Sequence, residues 1–164
     1  LLFTGRFVDV KEDRPRRRFN LNYAVTPAIL LGLEYNPAVN EVVPTLNWTL
    51  RPETKQMPMV MFGVSSDRIF SPEGTRSYFL TVAKAVPKTR LAPYAALNWS
   101  EWEERFTVPF GLVYAANPNL DLAMQHDGVN THWLVTAKTA RYNATLLLVK
   151  GKHLGISVGT RLSP

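Results

Sequence analysis

Along most of this chain apolar and polar residues alternate with a period of two. That is the spacing of a strand with one dry face and one wet face. In 19–25, Phe19, Leu21, Tyr23 and Val25 share one face and Asn20, Asn22 and Ala24 the other. In 28–36, Ile29, Leu31, Leu33 and Tyr35 oppose Gly32 and Glu34. In 42–51, Val42, Leu46, Trp48 and Leu50 oppose Thr45, Asn47, Thr49 and Arg51. Phe106, Val108, Phe110, Leu112 and Tyr114 oppose Thr107, Pro109 and Gly111, and Leu154, Ile156 and Val158 oppose Gly155, Ser157, Gly159 and Arg161. The segment MPMVMFGV, 57–64, is apolar on both faces and takes no orientation from its pattern. Helical periodicity is hard to find, and prolines and β-branched residues are spread evenly enough to argue against helices of ordinary length. The pattern predicts strands at 2–11, 17–26, 28–36, 42–51, 57–65, 76–85, 91–99, 105–115, 119–126, 131–139, 142–150 and 153–162. No shift of composition marks a linker, so 1–164 reads as a single domain.

The connections alternate as well. TPA at 26–28, ANP at 116–118 and the stretches near 52–56, 86–90 and 139–142 fall on one end of the strand array. KEDRPRR, NPAVNE, SSDRIFSPEGTR, SEWEER, HDGVNT and KGKH fall on the other, which carries the longest connection, 65–76. NYAVTPAILLGLEYN, 22–36, and VYAANPNLDLAMQHD, 113–127, share a frame of Tyr-Ala, two residues, Pro and alternating Leu. The expectation is one turn design used twice on the same rim. An even strand number puts both termini on that rim.

Composition narrows the classes. With no Cys, neither a disulfide framework nor a Cys-based zinc site is available. A formal net charge of +6 favours nucleic acid, anionic lipid or acidic solutes as partners, or only a basic surface. No apolar run approaches the roughly 18 residues of a membrane helix. The chain opens directly into a strand, as a mature or trimmed chain without a signal peptide would. A mean hydropathy of −0.10 fits a soluble protein and equally a membrane β-barrel, whose strands are only half apolar.

Two features decide between those. The polar faces carry mostly Asn, Thr, Ala, Gly and Ser, while most charges sit in the connections. Small uncharged groups suit a crowded interior in which polar side chains satisfy one another. Strands of about ten residues, tilted near 40°, span roughly 25 Å, the height of the apolar band of an outer-membrane barrel. Tyr23, Tyr35, Trp48, Trp99, Tyr114, Trp133 and Tyr142 fall at or near strand ends on the apolar face, where lipid-interface aromatics sit. With its short Pro/Asn turns after Tyr-Ala, long charged opposite loops, even strand count and last strand GISVGTRL, the chain resembles a bacterial outer-membrane β-barrel along essentially its whole length. The resemblance implies an all-β, antiparallel, up-and-down transmembrane barrel of about twelve strands, with ten to fourteen compatible, in a bacterial outer membrane and in contact with membrane lipid. One departure is the ending Leu162-Ser163-Pro164, where such barrels often end on an aromatic residue.

On this reading the inward set includes Arg6, Arg18, Asn20, Asn22, Glu34, Asn47, Arg51, Asn98, Asp121, Gln125, His132, Lys138, Asn143 and Arg161. Cations outnumber acids, so the lumen favours anions, and twelve-stranded outer-membrane channels for acidic oligosaccharides or nucleosides resemble this arrangement. The expected function is a passive channel for small anionic or polar solutes. The alternatives are a non-conducting scaffold whose loops bind protein partners in an envelope complex, its interior filled by interlocked side chains, and a soluble β-barrel that turns Leu31, Leu46, Trp48, Phe110 and Ile156 inward around an apolar ligand. A membrane lipid hydrolase would need Ser157 paired with His132 or His153, and no nucleophile motif surrounds them. His126, His132 and His153 match no metal-ligand spacing, and no cofactor motif is present. KEDRPRRR, 11–18, mixes acids into its only dense basic cluster and the aromatics share a face with Leu and Val, so no nucleic-acid partner is expected.

Overall fold

A sheet whose outer strands stay unpaired offers its backbone to other chains, and this protein removes both edges by pairing its first strand with its last. The computed structural model describes residues 1–12, 16–68 and 70–162. The segments are β1 (Leu2–Val8), β2 (Arg17–Ala24), β3 (Ile29–Asn36), β4 (Glu41–Arg51), β5 (Met59–Ser66), β6 (Arg76–Ala83), β7 (Leu91–Ser100), β8 (Arg105–Thr107), β9 (Phe110–Asn117), β10 (Leu120–His126), β11 (Thr131–Lys138), β12 (Tyr142–Val149) and β13 (His153–Arg161). Each pairs antiparallel with its neighbours in sequence, except that β8 and β9 both pair with β7 and not with each other; β1 pairs with β13, and the circle is complete.

Thirteen segments make a twelve-stranded barrel, because β8 and β9 are one strand in two pieces. The stretch 105–115, expected as continuous, is interrupted at Val108 and Pro109. Proline has no N–H to give to a ladder. The register runs through the gap unchanged, with Thr107 opposite Asn98 and Phe110 opposite Ala95, and the Pro109 carbonyl still accepts from Ala96 N–H at 2.8 Å.

The apolar faces point outward. Tyr23 is 61%, Leu146 55% and Ile156 50% exposed, and large apolar residues of this kind run around the whole wall. The soluble-barrel reading, with Leu31, Trp48, Phe110 and Ile156 lining an interior, is therefore corrected: all four are exposed on the outer wall, and Leu46 shares their face through its pairings with Leu31 and Val64. The segment that its pattern left without orientation is settled by its neighbours. Gly63 lies beneath the Phe79 ring on the inner side, so Val60, Phe62 and Val64 face out.

The two ends differ as the alternation of turns requires. The termini meet, with Leu1 and Leu162 exchanging backbone hydrogen bonds. On that terminal rim the 52–58 and 84–90 connections lock together through the Lys84–Glu53 ion pair at 3.4 Å and the bond from Ala85 N–H to Glu53 at 3.1 Å. The repeated hairpins share this rim but not their turn. After Ala24 the chain leaves the ladder and the Thr26 hydroxyl accepts from the N–H groups of Ala28 and Ile29. In the second copy β9 continues to Asn117, whose side chain accepts from Asn119 N–H, and β10 begins at once with a register shift at Leu120–Asp121. The proline sits at the same place in the frame and the residue before it, Thr or Asn, selects a different local hydrogen bond.

Candidate functional site

Inward positions alternate with outward ones, and pairing carries each across the sheet. Arg6 on β1 stands opposite Arg18 on β2, and Arg6 is also opposite Ser157 on β13. Asn20 pairs with Glu34, Asn22 with Gly32, Asn47 with Gly63, Asn98 with Phe79, Gln125 with His132, and Lys138 with Asn143. Asp121 lies opposite Thr136. Arg161 ends β13 opposite Leu2, on the terminal rim. Arg51 lies past a bulge in β4 at the same rim, where its Nε donates to the Pro58 carbonyl at 3.3 Å.

The inner wall is fitted by pairing long side chains with glycines. A Cβ on Gly32 would meet the Asn22 side chain, one on Gly159 would meet Asn143, and one on Gly111 would meet the Tyr94 ring. Each long group thus lies flat across a neighbouring strand, which is what a twelve-stranded circle allows without blocking its centre.

A cavity of about 500 Å³ occupies the lumen. Of the sequence-derived set it takes in Arg6, Arg18, Asn98, Gln125 and His132. Asp121, Lys138, Asn143, Arg51 and Arg161 sit nearer the terminal rim, away from it. The cavity also has walls that sequence reasoning missed: Phe79, Tyr94, Leu134 and Leu147 on inward positions, and Asp67 and Arg68 from the β5–β6 connection. In β6 the apolar residues Tyr78, Phe79 and Leu80 are consecutive, which hides from period-two reading that Phe79 alone of the three points in.

Charges in the lumen and at the loop rim are largely paired. Arg18 holds Glu34 at 2.9 Å, and Glu34, almost fully buried, also accepts from Ser66 Oγ at 2.6 Å and Asn36 Nδ2 at 3.1 Å. Lys138 holds Asp121 at 2.5 Å. At the loop rim Arg68 grips Glu103 with both guanidinium ends and lies 5.2 Å from the Trp102 ring centre. The Arg68 and Arg105 guanidiniums hold the Glu103 carboxyl down at about 2. Burial pushes the Asp127 carboxyl up, but hydrogen bonds from His132 and from the backbone N–H groups of Asn130 and Val129 outweigh it and bring it to about 2. His132 is fully engaged. Lys150 N–H donates to its Nδ1 at 3.2 Å, so Nε2 carries the ring proton toward Asp127 Oδ2 at 2.9 Å.

The hydrolase geometry is not assembled. His132 is bonded to Asp127 and Lys150, His153 Nδ1 to the Asp9 carbonyl, and His126 Nδ1 to Thr131 Oγ1, with no serine hydroxyl among these partners. Among the described residues no group of three or more acidic or histidine side chains could hold a metal ion. The KEDRPRRR cluster falls partly outside the described residues, at 13–15, as does the chain's Ser163-Pro164 ending.

The seven sequence-derived aromatics lie on the outer wall in two belts. Tyr23, Trp48, Tyr114 and Tyr142 lie toward the terminal rim, and Tyr35, Trp99 and Trp133 toward the loop rim. Trp99 packs edge-on against Phe106 at 4.9 Å.

No protein-family profile matches the sequence. No curated protein matches it either. Among solved structures the barrel is similar to a NanC porin in a rhombohedral crystal form, with a TM-score of 0.55 over 99% of this chain and 100% of that one, at 10% sequence identity. At that identity the likeness is one of fold: a closed, porin-like, antiparallel barrel.

Proposed function

We propose that this protein is a passive channel in a bacterial outer membrane, with a positively biased lumen for small anionic or polar solutes. The observation that carries the reading is the inverted wall. An apolar belt faces outward all round, flanked by aromatics, and encloses a cavity where arginine, hydroxyl and amide groups stand among aromatic and aliphatic ones. In water such a surface is far larger than the few hundred Å² of apolar patch a soluble monomer tolerates, while in a bilayer it is the solvated face. The porin-like fold supports the same conclusion.

The bias comes from one wall. β13, β1 and β2 bring Arg161, Arg6 and Arg18 to the inner face and contain no Asp or Glu. The wall across from them, β5 to β7, offers Ser65, Ser77, Phe79, Tyr94 and Asn98, all uncharged. A solute passing between is attracted on one side and slides along hydroxyl, amide and aromatic groups on the other. Reversal potential across a salt gradient in a planar bilayer tests this. Discrete open-pore steps with anion preference are expected, and an absence of steps or a preference for cations would sink the reading. The paired charges Arg18–Glu34 and Lys138–Asp121 favour a second reading, a non-conducting barrel whose loops dock an envelope partner. A folded protein that passes no current would establish that one.

A further inference from the structure

A water-filled lumen is ordinarily walled with groups that water can solvate, yet two aromatic rings stand on this wall. Phe79 of β6 and Tyr94 of β7 are half-buried, and both border the cavity. Each lies over a glycine of the next strand. A Cβ on Gly63 would collide with the Phe79 ring, and one on Gly111 with the Tyr94 ring. Glycine at both points lets a ring lie back against the wall rather than stand toward the axis. One side of each ring is thus covered by the wall, and the other is turned to the cavity.

The rungs between β6 and β7 order the two rings along the strands. Phe79 is opposite Asn98, Thr81 opposite Ala96, and Ala83 opposite Tyr94. That places about 13 Å of strand between them. Thr81, Ala96 and Pro109 also border the cavity, and none of them carries a charge. Apolar surface that faces water gains free energy when a flat apolar body covers it, and ring-on-ring contact adds to that gain. A fully hydroxylated anion finds partners in Ser65, Ser77 and Asn98 but gains little from the rings.

The wall across from the rings supplies the opposite chemistry. Arg6 and Arg18 stand side by side on β1 and β2 and border the same cavity. Arg18 gives Nη1 to Glu34, and about a quarter of its side chain is exposed. A guanidinium has five N–H groups, so Arg18 keeps donors for a second carboxylate. The cavity volume, about 500 Å³, suits a small ligand.

We propose that the lumen holds a binding site for small aromatic carboxylates, with the carboxylate on Arg6 and Arg18 and the ring on Phe79 or Tyr94. The inference rests on the channel reading and deepens it, by naming the class of anion that the pore selects.

The test uses the barrel folded in detergent, as wild type, Phe79→Leu, Phe79→Leu with Tyr94→Leu, and Arg6→Gln. Each is first shown to fold by heat-modifiable gel migration. Where the double variant does not fold, Phe79→Leu carries the comparison. Binding of benzoate, acetate, glucuronate and neutral benzyl alcohol is titrated by saturation-transfer NMR against protein-free detergent. The three anions are then compared as permeant ions in planar bilayers. Wild type should bind benzoate about tenfold more tightly than acetate or glucuronate, the gain of one ring contact. Phe79→Leu should lower that ratio, and the double variant should bring it to within about twofold. Arg6→Gln should weaken benzoate and acetate alike and leave benzyl alcohol unchanged. Anion current without a benzoate preference, or a preference that survives the leucine variants, overturns the aromatic site and leaves the channel standing. Benzoate binding with no current in any bilayer overturns the channel reading and keeps the site as a ligand pocket. Neither binding nor current overturns both.

Discussion

Glu34 shows how a single inward acid is made tolerable. It is 3% exposed and satisfied by Arg18, Ser66 and Asn36 together, so its charge is paid for by three donors on three strands. Glu34→Ala strips Arg18 of its partner. Because Arg18 keeps about a quarter of its own exposure, the loss should be about 2–3 kcal/mol, short of the cost of a fully buried broken pair. Urea unfolding in lipid vesicles measures it. The carboxyls of Glu103 and Asp127 behave differently with pH. Both are held at about 2, below their ordinary 4.5 and 3.8, so they stabilise the loop rim fully above about pH 4.5 and lose that contribution as pH falls toward 2. The protection of the Val129 and Asn130 amides, relative to their intrinsic exchange rates at each pH, should therefore fall between pH 4 and 2, and Asp127→Asn should remove most of that dependence. At this scale the sequence placed Glu34 and Asp121 inward among more numerous cations without assigning their partners. Glu34 took an arginine, and Asp121 took Lys138, which the ladder places one strand over.

At the level of elements, period two was legible because a barrel wall separates two different solvents along every strand. It failed in particular places. Pro109 breaks the 105–115 strand without moving its register, and no alternation pattern distinguishes a proline that ends a strand from one that only interrupts it. The paired hairpins looked alike because the turn chemistry lies in Thr26 and Asn117, one residue before the shared proline. Glycines mark where long inward groups cross. Gly111→Val would drive a side chain into Tyr94 and the Met124 carbonyl and should destabilise the barrel by about 1–3 kcal/mol, read from the same unfolding measurement. Leu146, exposed at 55% in the middle of β12, tests the opposite face. Leu146→Arg should cost about 2–4 kcal/mol if it lies at the bilayer midplane. Insertion as efficient as wild type would reverse the facing of the wall.

Charge is divided along the axis of the whole molecule. The terminal rim and the strand ends beside it carry Arg51, Lys55, Lys84, Lys88, Arg90, Lys138, Arg141 and Arg161 against Glu53 and Asp121. That excess accounts for the chain's entire formal net charge of +6. Among the described residues the remaining acids and bases, toward the loop rim, balance. If the barrel conducts, anions meet unlike potentials at its two mouths, so single-channel current should rectify, and less so as rising salt screens the rim. Ohmic current at low salt would refute this asymmetry as a functional feature.

The sequence by itself determined the class of the barrel, its strand number, the outward direction of its apolar face and the rim on which each turn lies. These follow from a local repeat read against two solvents and from counting reversals of direction. Only the tertiary structure decided what occupies the lumen. Which charges neutralise one another depends on register between strands distant in sequence, such as Arg18 beside Glu34. That Phe70 reaches Val8 and Val149 depends on closure of the circle, which brings the far wall within reach of a loop that carries no periodic signal of its own.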